Sequence, residues 1–365
     1  MDFTISEEEK DITALANQIL SDNVSPESLH QYDDRETTRF DDKLWAQLAE
    51  SGLLGIAISE AHGGMGFGFG HLSLLIEECG RVLAPVPVVP TCLSAMAIQQ
   101  FAGEAESSIL GEVVNGKAII SAAIHEDVNE DIYAPTCEVS GGKLTGTKHG
   151  VPYFDQAQSL LVVASENGEA GLYLVDPTDA TVQGTPLWST TMEPQCYVTF
   201  AGTPATKIGD ADAVTWFLER YIMSLCSYQV GACDKMLKLT AEYTTERQQF
   251  GVPIASFQAV GHRAANCYID STCLRLVVQQ AVSRLDAGED AATAVNVAKS
   301  WCGDASHRIS TTTQHLHGGM GVDRDYSLWR YALWAKQNEL QLGSANYHLR
   351  QLGDAIAAGD FNIDP

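Results

Sequence analysis

The stretch Glu246-Arg247-Gln248-Gln249-Phe250-Gly251-Val252-Pro253-Ile254-Ala255-Ser256-Phe257-Gln258 joins two runs of helical period, and its reading decides the fold. An Arg at the end of a helix can grip a diphosphate with its two-pronged guanidinium, an amide side chain such as that of Gln249 can bind a ribose or a base edge, and Phe250 offers a face for a ring. The same residues have routine structural uses as a helix-capping Arg and a buried Phe. A second run, Gln314-His315-Leu316-His317-Gly318-Gly319-Met320-Gly321, places bare backbone after a helix, where N–H groups can approach a phosphate or an adenine closely. It can equally be an ordinary helix-ending turn.

Outward from these runs, the helical period occupies 213–246, 256–286, 291–315 and 326–357, separated by Gly251-x-Pro253, Gly288 and Gly318-Gly319. Four long helices of this kind predict a four-helix bundle. Upstream, between roughly 111 and 210, short β-branched runs (118–123, 159–164, 171–175 and 197–200) alternate with turn signals at Gly141-Gly142 and Asn167-Gly168, which predicts an antiparallel β domain. The first ~110 residues are helical. Ser6-x-x-Glu9 is a capping box ahead of Ile12, Leu15, Ile19 and Leu20. A second helix starts near Asp41 or Asp42, passes Leu44, Trp45 and Leu48 and stops at Gly52, and a third carries Leu72, Leu75, Ile76, Cys79 and Leu83 up to Pro85-x-Pro87. The chain therefore reads as α+β, with a helical domain at 1–110, a β domain at 111–210 and a helical bundle at 211–365.

Composition narrows the function. The 365 residues carry 22 Lys and Arg against 47 Asp and Glu, a net charge of −25, and so acidic a surface repels phosphate backbones and anionic lipid. A nucleic-acid or membrane-surface role is not expected. The nine cysteines include no C-x-x-C pair and read as reduced core residues. Met1-Asp2-Phe3-Thr4 has neither the basic nor the apolar segment of a signal peptide, and no 18-residue apolar run occurs, so the expected location is the cytoplasm. The run from Gly63 to Gly70 lacks a G-K-[ST] ending and follows no strand, so it reads as a flexible turn before a helix. His315 and His317 have no companion carboxylate cluster to complete a metal site, and no G-x-S-x-G elbow is present.

Taken together, the motifs resemble the acyl-CoA dehydrogenase family over nearly the whole chain. Met1-Asp2-Phe3 with its Glu-rich first helix, Glu50-Ser51-Gly52-Leu53-Leu54-Gly55-Ile56, His62-Gly63-Gly64-Met65-Gly66, Arg247-x-Gln249-Phe250-Gly251 with Gln258, and His317-Gly318-Gly319-Met320-Gly321 match in order and spacing. The resemblance implies the acyl-CoA dehydrogenase fold, an FAD cofactor, an acyl-CoA substrate, and an electron-transfer flavoprotein or similar acceptor. It also implies three requirements: a Glu base for the thioester α-proton, a pocket for the isoalloxazine whose N5 takes the β-hydride, and a grip on the adenine half of FAD. In the family the first two lie in one subunit and the third comes largely from its neighbour.

The sequence departs from the family on the first two. Where the usual base stands in a Glu-Gly-Thr phrase, this chain has Leu342-Gly343-Ser344, and the alternative position on the helix before Arg247 is Tyr221. Glu219 is two residues out of register, a rotation of ~200° on a helix, and Glu339 would have to reach one turn along. The family's Thr-Glu-Pro and Gly-Ser-Asp phrases become Ile124-His125-Glu126-Asp127 and Val128-Asn129-Glu130-Asp131, and its Trp-Ile-Thr becomes Gly150-Val151-Pro152 after Lys148-His149. The adenine-side motifs survive, with His315 where the family usually has Gln. The expected cofactor residues are thus Arg247, Gln249, Phe250, Gln258, His315, Gly318 and Gly319. No catalytic residue and no metal ligand is expected here, with Glu339 and Glu219 the alternatives for a displaced base.

Loss on one half of a site and retention on the other resembles the base-lacking chain of heteromeric α2β2 acyl-CoA dehydrogenases of steroid side-chain catabolism. The implied partner is a second acyl-CoA dehydrogenase subunit. Two rivals are an active homotetramer with a displaced base and a flavin-free scaffold.

Overall fold

The computed structural model describes residues 6–34 and 36–359. Its first helices are α1 (Glu7–Asn23), α2 (Pro26–Leu29), α3 (Asp42–Glu50), α4 (Phe69–Val82), α5 (Val88–Phe101) and α6 (Leu110–Val114). Eight strands follow: β1 (Ile120–Ala123), β2 (Glu138–Ser140), β3 (Lys143–Pro152), β4 (Ser159–Glu166), β5 (Glu169–Val175), β6 (Val182–Trp188), β7 (Pro194–Pro204) and β8 (Thr206–Gly209). The chain returns to helix in α7 (Ala211–Glu246), makes a small hairpin of β9 (Gln248–Gln249) and β10 (Val252–Pro253), and continues through α8 (Gln258–Asp286), α9 (Ala292–His317), α10 (Leu328–Leu340) and α11 (Ala345–Ala358). This is the predicted α, β, α order. Among the described residues no helix is long and apolar enough to cross a membrane.

Local chemistry accounts for the helix ends. Ser6 Oγ accepts from the Glu9 N–H while the Glu9 carboxylate accepts from the Ser6 N–H, so the capping box satisfies two otherwise orphaned donors. Asp41 accepts from the N–H groups of Lys43 and Leu44 at the head of α3. The Gly63–Gly70 run is not the flexible turn predicted from its composition. Met65, Gly66 and Phe67 donate their N–H groups to Gly55, Ile58 and Ile56 at 2.8–3.0 Å, and a Cβ on Gly64 would stand 2.1 Å from the Ile58 carbonyl. Those glycines permit close backbone packing instead of motion. Helix α5 left no periodic signal because Val88 and Pro90 to Ile98 are all buried, so no polar face marks it.

Two tight turns set the register of the sheet. Gly141-Gly142 links β2 to β3 and Asn167-Gly168 links β4 to β5, all four residues at positive φ, the backbone that matches the twist of a two-residue hairpin. The strand order is β6-β7-β3-β2-β4-β5-β8, with β1 beside β4. Most pairings are antiparallel, as predicted, but β1 and β2 each run parallel to β4. Leu160 to Ala164 of β4 are wholly buried, which is why this strand reads as a continuous apolar run.

The chain forms two compact units. One comprises Gln31–Leu72 and Pro85–Tyr221 and holds the sheet. The other comprises the chain up to His30, Ser73–Ala84, and everything from Ile222 onward. In this helical unit α4 and α7 touch backbone to backbone, because a Cβ on Gly80 would lie 1.9 Å from the Tyr228 carbonyl oxygen and one on Gly231 1.9 Å from that of Glu77. Beside the crossing, Glu77 accepts from Arg81 at 2.8 Å and from Arg275 at 2.7 Å, and Arg275 also binds Asp234. The stretch 326–357 is not one helix. It breaks between α10 and α11, where Leu342 (φ 56°) and Gly343 (φ 99°) are left-handed, so the described residues carry five helices from α7 onward where four were predicted. All nine cysteines are free, and all but the half-buried Cys273 are buried.

Candidate functional site

Helix α7 ends at Glu246 and the chain turns through the β9–β10 hairpin, with Gln249 opposite Val252 and Gln248 opposite Pro253. Phe250 (φ 56°) and Gly251 (φ 82°) form the turn. Glycine adopts this backbone freely, whereas in Phe it costs about 1–2 kcal/mol. The strained residue holds its ring in solvent, 93% exposed, with the edge-on Phe257 ring at 6.1 Å. Strain that presents an apolar ring to water gains no burial within this chain.

Neither routine structural use of this segment is seen among the described residues. Phe250 is not buried, and Arg247 does not cap a helix with its side chain. The Arg247 N–H continues α7 by donating to the Tyr243 carbonyl at 2.8 Å, and its carbonyl accepts from the Ile254 N–H at 2.8 Å. Its guanidinium is exposed and makes no hydrogen bond or ion pair among the described residues. The Gln249 amide donates only to the neighbouring Gln248 carbonyl, at 2.7 Å. Gln258, the first residue of α8, has an exposed side chain.

At the end of α9 the chain swings into the Gly318 turn (φ 59°, ψ −134°). A Cβ on Gly318 or Gly319 would meet nothing within 4 Å, so this backbone is open to a visitor, while one on Gly321 would strike the Gln314 carbonyl at 2.6 Å. His315 is exposed on the last turn of α9, and His317 is buried. The His317 imidazole stacks on the Tyr243 ring at 4.3 Å, and the Tyr243 hydroxyl donates to the His317 carbonyl at 3.3 Å. That contact brings the two predicted segments together, since Arg247 lies one turn beyond Tyr243 and Gly318 directly follows His317. Sequence reasoning missed Tyr243. Its partner lies 74 residues away, and the only local signal was an aromatic four residues before Arg247.

The positions that the resemblance assigned to the isoalloxazine pocket are in a different state. Lys148 is wholly buried and donates to Glu126 at 2.7 Å and to the Ile124 carbonyl at 2.9 Å. The Glu126 carboxylate also accepts from the Thr136 hydroxyl at 2.5 Å and from the N–H groups of Thr136 and Cys137 at 2.8 and 2.9 Å. Burial alone would raise the pKa of Glu126, but the Lys148 charge and these hydrogen bonds outweigh it and bring the carboxyl down to about 2. Pro152, which has no N–H, gives its carbonyl to the Ser121 hydroxyl. Lys148, Glu126 and the Pro152 carbonyl are thus engaged within the chain.

Neither position of the usual base holds a carboxylate. Leu342 is fully buried, and its carbonyl accepts from His348 Nε2 at 2.9 Å. Tyr221 is buried, and burial pushes its phenol far above the usual range. Glu339 is half-buried on α10, 2.5 Å from Lys336 Nζ and 3.4 Å from His307 Nδ1. Glu219 is half-buried on α7. Among the described residues no cluster of three or more His, Cys, Asp or Glu side chains is placed to hold a metal ion.

Comparison with known proteins adds a name to this arrangement. Residues 6–116 match the family description "Acyl-CoA dehydrogenase, N-terminal domain" and residues 211–357 match "Acyl-CoA dehydrogenase, C-terminal domain". The chain is 34% identical to acyl-CoA dehydrogenase FadE27 of Mycobacterium tuberculosis, over 98% of this chain and 99% of that one. Among solved structures it is similar to a variant of the Tcur3481-Tcur3483 steroid ACAD, at 39% identity and a TM-score of 0.93, covering 98% of this chain and 99% of that one. It is also similar to a chain of the ChsE4-ChsE5 complex from Mycobacterium tuberculosis, at 34% identity and a TM-score of 0.92 with the same coverage.

Proposed function

The chain belongs to the acyl-CoA dehydrogenase family, and from that premise we propose that it is one subunit of an FAD-dependent heteromer. The complex dehydrogenates an acyl-CoA thioester across its α,β bond. The substrate class is steroid side-chain thioesters, a reading supported by likeness to a protein described as a steroid ACAD and to a chain of a two-component complex.

The observation that carries this reading is the exposed, unengaged Arg247 guanidinium beside the strained and solvent-held Phe250. The residues present fit one half of FAD. Arg247 is free to take the diphosphate bidentately, the open backbone at Gly318 and Gly319 leaves room for close approach, and Gln249, Gln258 and His315 offer polar edges around a base or ribose. Phe250 offers a ring face. The other half finds no such welcome, since the hydroxyl and N–H donors expected around a flavin ring are replaced by Pro152 and by groups that Glu126, Lys148 and Ser121 already engage. FAD, when bound, supplies the hydride acceptor. In this reading the α-proton is taken by a Glu of the partner subunit, and an electron-transfer flavoprotein or similar acceptor reoxidises the complex. The division at 1–110, 111–210 and 211–365 belongs to the same reading, with the last segment supplying the adenine-side residues.

Co-expression with a second acyl-CoA dehydrogenase chain that keeps the missing Glu tests the proposal, with native mass and flavin content as readouts. The chain alone should carry little flavin and reduce no acceptor with any acyl-CoA, and the pair should hold about one FAD per heterodimer. A yellow, active homo-oligomer of this chain alone would overturn it.

A further inference from the structure

Two adjacent glycines give a turn wide conformational freedom, and a turn that must meet a ligand in one geometry loses affinity to the cost of ordering it. Gly318 and Gly319 are such a pair, with no atom of the described residues standing where a side chain would be. The two ends of the turn are nevertheless fixed. At the far end Gly321 packs on Gln314, whose amide donates to the Gly321 carbonyl at 3.4 Å.

The near end is held by a three-ring cluster. The Thr313 carbonyl can only accept, so His317 Nδ1, 2.7 Å away, carries the proton of that bond. Burial keeps this imidazole below the usual histidine range and therefore neutral, which leaves Nε2 as an acceptor for the Tyr326 hydroxyl at 3.2 Å. Tyr243 stacks on the imidazole with 22° between the planes, and the Tyr326 ring lies at 5.2 Å. The Tyr243 hydroxyl donates to the His317 carbonyl, which shares a planar peptide with the Gly318 nitrogen. The Tyr243 carbonyl meanwhile accepts the Arg247 N–H. One residue thus fixes the backbone on both sides of the anion-binding candidate.

We infer that Tyr243 and Tyr326, acting through His317, are positioning residues that preorganise the Gly318–Gly319 turn and align it with Arg247 for the diphosphate and adenine of a dinucleotide. This rests on the reading above that the chain holds that half of FAD. None of the three rings needs to touch the cofactor, so their effect is on affinity for the adenylate end and not on folding.

The test uses the assembled heteromer stripped of flavin, with rebinding of FAD and of FMN followed by flavin fluorescence and the melting temperature of the apo-complex measured alongside. Tyr243→Phe keeps the stack and loses one hydrogen bond, so FAD should bind roughly 3- to 10-fold more weakly. FMN, which lacks the adenylate, should bind as it does to the parent complex, and the melting temperature should hold. Tyr326→Phe should give a similar, smaller shift, and it keeps the inference testable if Tyr243→Phe fails to assemble. Unchanged FAD affinity in these variants, or a loss shared equally by FMN or matched by a fall in melting temperature, overturns the inference. Arg247→Ala separates the two levels. If it loses FAD and the tyrosine variants do not, only the positioning role falls, whereas if it too keeps FAD, the assignment of the adenine half to this chain falls as well.

Discussion

The hairpin and turn at residues 247–258 and 318–321 contrast with the loop and strand around Glu126 and Lys148. Both lie where the family resemblance puts FAD, and both contain charged side chains. Around Glu126 the buried charges are paired within the chain, with one carboxylate serving an ammonium, a hydroxyl, an Asn129 amide and two backbone N–H groups. Around Arg247 the guanidinium and the ring of Phe250 are left to solvent, and the backbone at Phe250 is strained to keep it so. A site that has lost its ligand needs internal partners for its buried charges, because an unpaired buried charge is costly. An exposed group that still awaits a ligand needs none. The difference between satisfied and unsatisfied polar groups is what the proposed division of the FAD site rests on.

The largest effect should come from breaking the satisfied half. Lys148→Met leaves the buried Glu126 carboxylate without its cation, and removing one member of a buried pair costs about 3–5 kcal/mol. Chemical denaturation of the chain should show that loss, and Glu126→Gln with Lys148→Met together should recover much of it. A Lys148→Met loss under about 1 kcal/mol would mean the pair is not the clamp described here. Acid titration gives a second view. A carboxyl at about 2 in the fold, against 4.5 unperturbed, adds stability that is complete above 4.5 and drains away as the pH falls towards 2. Glu126→Gln should flatten that part of the stability curve.

Arg247→Ala is the counterpart in the unsatisfied half. It should leave the stability of the flavin-free chain within about 0.5 kcal/mol, as expected for an exposed group with no bonds. In the heteromer it should weaken flavin retention ten-fold or more, the loss of a charge-assisted contact of roughly 1.5–3 kcal/mol. Arg247→Lys should restore only part, since a point charge cannot reproduce the fork. Phe250→Gly should act in opposite directions on the two states. By relieving the left-handed Phe it should leave the free chain as stable or up to about 1 kcal/mol more so, while the heteromer weakens several-fold. A free chain that loses stability would show that the ring supports its own fold.

Features written in a few adjacent residues were legible before the structure. The Ser6–Glu9 capping box, the Gly141-Gly142 and Asn167-Gly168 turns and the end of α3 at Gly52 each depend on backbone preferences that a short window carries. What escaped depends on distant neighbours or on uniform burial. Helix α5 has no polar face to give a period, and β1 and β2 run parallel to β4 for reasons that no local signal records. The break at Leu342-Gly343 was hidden in a stretch whose period resumes on the far side. The candidate site residues Arg247, Phe250 and Gly318 could be named from their motifs, but that Arg247 is unengaged and Phe250 strained could be learned only from the fold.

The smallest expected effect concerns the two carboxylates that could make this chain catalytic in its own right. Glu339 is tied to Lys336 and His307 on α10, and Glu219 stands two residues from the Tyr221 register on a helix, which turns it by about 200°. Glu339→Gln removes one partner of a partly exposed ion pair with Lys336, worth about 0–1 kcal/mol, and should leave turnover of the reconstituted complex nearly unchanged, as should Glu219→Gln. Removal of a true general base costs on the order of 10² to 10⁴ in rate, so the readout is unambiguous. The Glu→Gln change in the partner subunit should produce that larger loss while FAD stays bound. If instead Glu339→Gln abolishes turnover with flavin and assembly intact, the contrast between the two regions fails. This chain would then hold a working base, and its satisfied pocket would have to open during the reaction.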